Sequence, residues 1–246
     1  MGVVKGEGKF QIIYAPTTIT YGTESFPGYY ARPMNERARP AVLLVHDAWG
    51  LTPHLRDLCR RFARHGYVAI CPDLLGNLQP YPDDTIAEAL EAWAHVSPDA
   101  LLADLRGTVE FARAMGFVNP EAITAIGFGE GGRLALLLAA AAPELGAVVS
   151  YYGPVRGEHG IGAPLAVAAS ITCPVLGFYG ATDASIDDVR ALEDAIPGSA
   201  FLVYPDTGSR FFDDQRPEYV GPVAVDAWNR LQVFLSAAFG SVEDVA

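Results

Sequence analysis

The stretch Ile126-Gly127-Phe128-Gly129-Glu130-Gly131-Gly132-Arg133 has the make-up of a tight strand-to-helix turn. A short apolar run, Ala122 to Ile126, leads into it, and an alanine- and leucine-rich helix, Arg133 to Ala142, leads out. Acyl-transfer enzymes expose a serine or cysteine nucleophile at the apex of such a turn, on the carboxyl edge of a sheet. The flanking glycines let strand and helix pass closely around the exposed side chain. In this chain the apex is Gly129, which offers no attacking atom. Three other strand ends carry polar groups: His46-Asp47-Ala48-Trp49, Asp183, and Asp206-Thr207-Gly208-Ser209. A covalent mechanism needs a nucleophile, a base to take its proton and an acid to orient the base. With glycine at the apex, that scheme lacks its first part.

The elements that must hold these groups follow from periodicity. Phe10 to Tyr14 and Thr18 to Tyr21 read as short strands, and Phe26 to Pro33 continues them as an antiparallel edge. The apolar runs Ala41 to His46, Tyr67 to Ile70, Ala147 to Ser150, Pro174 to Tyr179 and Ala200 to Tyr204 read as further strands. Runs without polar alternation are those of parallel strands buried on both faces. Helices are expected over Leu55 to Ala63, Asp83 to His95, Pro98 to Met115, Ile186 to Ala195 and Val223 to Phe239. Gly153 to Pro164, with its glycines, reads as a mobile loop. Strands alternating with helices imply a mostly parallel sheet covered on both sides. With no linker, repeat or low-complexity tract, residues 1–246 read as one domain.

The formal charge of −12 excludes nucleic acid and anionic membrane surfaces as expected partners, since phosphate neutralisation needs clustered Lys and Arg. Cys59, Cys71 and Cys173 form neither a disulfide framework nor a zinc motif. The first residues lack the apolar core of a signal peptide, and no run approaches a membrane span. The expectation is an acidic, cytoplasmic protein, monomer or homodimer, with no cofactor and no metal, whose partner is a small molecule.

Taken together, Val45 to Asp57, Gly66-Tyr67-Val68-Ala69, the glycine turn, Tyr179 to Asp183, and Tyr204-Pro205 through Asp214 with Arg216-Pro217 resemble the dienelactone hydrolase family. The resemblance runs from Ile19 to Phe239. It implies an α/β-hydrolase fold, a mostly parallel twisted sheet of about eight strands with helices on both faces. It also implies a cysteine or serine at position 129, an aspartate at 183 and a histidine at 209. Here the nucleophile position is Gly129, the base position is Ser209, and only Asp183 matches. The acidic residue that the family keeps near its nucleophile is matched by Asp47.

The resemblance further implies an oxyanion site made by backbone N–H groups of Glu130 and of the Asp47-to-Trp49 loop. Glu130 is the candidate substitute for the missing group. Its plain reading is a helix N-terminal carboxylate, favoured by the dipole and facing solvent. His46 is expected to point away from the site if Asp47 points in, and His159 to lie in a loop above it. His54, His65 and His95 read as surface residues. Ser209 is placed to hydrogen-bond Asp183. Ala48, Trp49, Tyr151, Tyr152, Arg210 and Phe211 are expected to line the pocket, with Arg210 available to an anionic group. Three functions fit. The first is non-hydrolytic chemistry on, or binding of, a carbonyl-bearing, aromatic or polyketide-like ligand: proton transfer, cyclisation or isomerisation. The second is ester or lactone hydrolysis by carboxylate-activated water. The third is a catalytically dead scaffold.

Overall fold

The computed structural model describes residues 8–78, 85–157, 162–182 and 184–240. Strands β1 (Ile12–Tyr21), β2 (Glu24–Pro33), β3 (Arg39–Val45) and β4 (Val68–Pro72) precede β5 (Val118–Phe128), β6 (Ala147–Tyr151), β7 (Val175–Gly180) and β8 (Ala200–Tyr204). They form an eight-stranded sheet in the order β1-β2-β4-β3-β5-β6-β7-β8. Only the pairings of β2 with β1 and β4 are antiparallel, as expected of that edge. The remaining pairs are parallel. The helices are α1 (Pro53–Arg64), α2 (Ile86–Trp93), α3 (Pro98–Arg113), α4 (Glu130–Ala141), the single turn α5 (Pro164–Val167), α6 (Ile186–Ala195) and α7 (Gly221–Phe239).

Every residue of β3 is buried, which explains its unbroken apolar run. One core lies between the sheet and α3, α4 and α6, and includes Leu43, Leu105, Leu136 and Val189. The other lies under α1 and α7, around Leu44, Phe62, Phe178 and Trp228. Burying both faces takes helices on both, so the two apolar layers and the parallel sheet specify each other.

Two expectations need correction. The first two short strands are one, β1, because Ala15, Pro16 and Thr17 keep the ladder with β2 unbroken. The elbow's strand runs from Val118, not Ala122, and its helix starts at Glu130, not Arg133. Gly153 to Pro164 is expected as a loop, and its described residues before α5 begins at Pro164 are in neither helix nor strand; residues 158–161, with His159, lie outside the described residues.

The register aligns the strand ends that hold the site. Val45 pairs with Gly127, Gly127 with Ser150, Tyr151 with Phe178, and Gly180 with Tyr204. Helix α4 then crosses these ends at backbone contact distance. A Cβ on Gly127 would meet the Gly131 carbonyl at 2.0 Å, and one on Gly131 would meet that of Val45 at 2.2 Å. The glycines of the turn are therefore required by close packing.

Candidate active site

Gly129 joins β5 to α4 with φ 52° and ψ −120°, the strained corner that the sequence motif anticipates. Its N–H donates to the Tyr151 carbonyl at 3.0 Å, which ties the apex to the end of β6. The space above it is filled by Asp47. A Cβ on Gly129 would lie 2.0 Å from Asp47 Oδ1 and 2.3 Å from its Cγ. Oδ1 accepts from the Ala48 N–H at 2.7 Å and from the Glu130 N–H at 3.3 Å. These are the two backbone donors expected of an oxyanion site. They converge as expected, but on the chain's own carboxylate. The expectation of an open oxyanion position is corrected accordingly: Asp47 occupies both the nucleophile's space and the donors that would bind a substrate oxygen.

The other oxygen, Oδ2, lies 3.6 Å from Arg210 Nε. Burial raises the Asp47 carboxyl above its ordinary range, against the pull of Arg210 and of the two N–H donors. Its side chain remains 17% exposed, and that opening leads into a cavity of about 340 Å³. The cavity is lined by Asp47, Gly129, Glu130, Tyr152, Ser209 and Arg210 together with residues of α2, α6 and the segment after β6. Two of these hold left-handed backbone, Tyr152 at φ 43° and Arg210 at φ 62°. Such strain in non-glycine residues persists only where the surroundings enforce it.

The remaining expected pocket residues separate. Ala48, Tyr151 and Phe211 are fully buried and do not line this cavity. Tyr151 stacks among Phe128, Phe178 and Phe212, so its ring belongs to the core under α1 and α7. Strand alternation sends Tyr151 to that face and leaves Tyr152, past the strand end, at the cavity. Trp49 lies beneath Arg216, whose guanidinium is 3.6 Å from the ring centroid, and lines a separate crevice of about 20 Å³. Asp183 lies outside the described residues, and so does any contact it makes with Ser209.

Glu130 departs from its plain reading. It is buried and pairs with the fully buried Arg133 at 3.2 Å, because α4 is covered on all sides. His46 behaves as alternation requires. It is buried away from the cavity, its Nδ1 donates to the Asp47 carbonyl at 2.9 Å, and its Nε2 accepts from the Leu74 N–H at 3.0 Å. Burial lowers its pKa, which keeps it neutral. His46 thus fixes the loop that aims Asp47. His54 is not a surface residue: it is buried, and its Nδ1 lies 2.9 Å from Asp214 and 3.5 Å from Asp213. That contact pins the segment bearing Ser209 and Arg210 to the start of α1.

Sequence reasoning missed three groups in the cavity wall. Tyr179, at the end of β7, lines it with a buried ring. Arg156 and Asp188 line it as an ion pair joining the segment after β6 to α6. Tyr179 had a visible signal, since it stands in the motif leading to Asp183. Arg156 and Asp188 had none, being 32 positions apart in ordinary surface-like segments.

Residues 26–239 match the profile of the Dienelactone hydrolase family. A protein of Escherichia coli O157:H7 carrying the provisional name carboxymethylenebutenolidase is 36% identical over 235 residues, 89% of this chain and 85% of its own. A structure from Klebsiella pneumoniae, provisionally named dienelactone hydrolase, superimposes with a TM-score of 0.84 at 33% identity. That match covers 92% of this chain and 99% of the other. A dienelactone hydrolase-like promiscuous phosphotriesterase from metagenomic libraries shares the fold, with a TM-score of 0.78 at 21% identity over 93% of this chain and 99% of that one. Among the described residues no helix is long and apolar enough to cross a membrane.

Proposed function

The chain belongs to the dienelactone hydrolase family, and we propose that its cavity binds a small carbonyl-bearing, aromatic or polyketide-like molecule and moves a proton on it without a covalent intermediate. The observation that carries this reading is the Asp47 carboxylate held in the space above Gly129. With Oδ1 fixed by two N–H donors, Oδ2 is the oxygen left to act on a ligand. A raised pKa makes that carboxylate a better base than an exposed one. Arg210 beside it supplies positive charge for a developing enolate. A volume of about 340 Å³ is at the small end of ligand sites and suits a one-ring compound. It also speaks against the reading as a closed, inert scaffold.

The test is solvent exchange at the carbon next to a carbonyl. Purified protein in D2O is incubated with a panel of aryl ketones and lactones, and deuterium uptake is followed by NMR. Exchange that Asp47→Asn reduces by about 10²-fold or more fits a general base. A rapid stoichiometric burst of nitrophenol from p-nitrophenyl acetate would refute non-covalent chemistry.

Hydrolysis by Asp47-activated water is the second reading, favoured by the carboxymethylenebutenolidase name that relatives carry. It predicts lactone opening with ¹⁸O from solvent entering the acid, again dependent on Asp47.

A further inference from the structure

If Asp47 is the base, as proposed above, the ligand's carbonyl oxygen needs a hydrogen-bond donor that Asp47 has not already taken. The backbone N–H groups of Ala48 and Glu130 are both directed at Asp47 Oδ1. Arg156 is engaged by Asp188 through both Nε and Nη2. Arg210 leans on Asp47 Oδ2 and stands on the base's side of the cavity.

We propose that Tyr179 is the catalytic donor, its phenolic O–H directed to the ligand's carbonyl oxygen, with Ser150 as its positioning residue. Tyr179 is 2% exposed and lines the cavity, and its ring is stacked on Phe201, centroids 5.9 Å apart. Its hydroxyl lies 3.5 Å from Ser150 Oγ, at the outer limit of a hydrogen bond. With the Ser150 hydroxyl donating in that contact, the single Tyr179 O–H is left for a ligand. Ser150 Oγ in turn stands 2.8 Å from where a Cβ on Gly132 would be, and 2.5 Å from that of Gly153. Gly132 is in the first turn of α4, one turn from the Gly129 apex that Asp47 covers. Base and donor therefore flank the same helix start. Burial pushes the Tyr179 hydroxyl up to about 12, so it remains protonated throughout the neutral range.

The step balances within the ligand and these two side chains. Asp47 Oδ2 takes the proton as the C–H bond breaks, and the electron pair moves onto the carbonyl oxygen as an enolate. The Tyr179 O–H stabilises that oxygen. Return of the proton from Asp47 to the same carbon gives exchange, and to a conjugated carbon gives isomerisation.

The experiment uses 4-acetylbenzoate labelled with ¹³C at the ketone, bound to the full chain and to Tyr179→Phe, Ser150→Ala and Asp47→Asn. Infrared difference spectra give the C=O stretch, and deuterium exchange gives kcat and KM. Tyr179→Phe keeps the ring and its stacking, removing only the hydroxyl. The expected result is a stretch lowered in wild type and restored toward the undonated frequency in Tyr179→Phe. An exchange kcat reduced by about 10²–10³-fold with KM within a few-fold should accompany it. Ser150→Ala should give a smaller change in the same sense, in both the stretch and kcat. A stretch unchanged by Tyr179→Phe, or a ketone that does not bind at all, overturns the proposal. A Tyr179-dependent stretch without exchange leaves the donor standing and refutes Asp47 as base. Exchange that survives Tyr179→Phe with an unchanged stretch does the reverse.

Discussion

Replacing Gly129 by alanine tests the central geometric claim without any ligand. The new methyl would sit 2.0 Å from Asp47 Oδ1, so the carboxylate must leave. Leaving forfeits two hydrogen bonds from backbone N–H to a charged acceptor, each about 1.5–3 kcal/mol. The φ of 52° costs a non-glycine residue a further ~1–2 kcal/mol. The expected loss is about 4–8 kcal/mol, against a typical total stability of about 5–15 kcal/mol. In an Asp47→Gly background the bonds are already absent and the space is free, so the same change should cost only the backbone strain, ~1–2 kcal/mol. Urea denaturation of the four proteins at one temperature gives the coupling, expected at about 3–6 kcal/mol. An equal cost of Gly129→Ala in both backgrounds would show that Asp47 does not cover the apex, and the proposed base would fall with it. The same clash means that in Gly129→Cys with Ser209→His the Asp47 carboxylate must move aside, and shortening Asp47 should raise any hydrolase activity gained.

Further outcomes follow from the same site. Folded Asp47 binds its proton more tightly than the unfolded chain does, so its contribution to stability falls as pH rises from the ordinary carboxyl range through its raised value. Melting curves of wild type and Asp47→Asn over that interval should diverge, the variant having the flatter profile, while exchange activity in wild type rises with pH over the same range. Arg133→Met should cost about 3–5 kcal/mol by leaving the buried Glu130 carboxylate without its ion pair, and Glu130→Gln in the same chain should recover part of it in urea titrations. His54→Ala should cost about 1–3 kcal/mol, and hydrogen exchange should reveal faster opening of residues 209–216, which it pins through Asp214.

The sequence determined the scaffold because burial on both faces leaves a local mark. The apolar runs at Ala41 and Pro174 could only be interior strands, and α6 and β8 fall at their expected bounds. Gly127 and Gly131 announced the elbow because close backbone approach there admits no side chain. The absence of a nucleophile was likewise legible, since it is a matter of residue type. What occupies the vacated space was not. That depends on the reach of Asp47, 82 positions earlier, and on which oxygen its own loop donors hold. The sequence also could not tell that Glu130 turns inward to Arg133, that His54 is buried against Asp214, or that Tyr151 and Phe211 belong to the core while Tyr152 and Tyr179 face the cavity. Period-two alternation predicts a side chain's direction only while the strand lasts, and the site lies where the strands stop. There the packing of α4, α6 and the segment after β8 decides which groups meet.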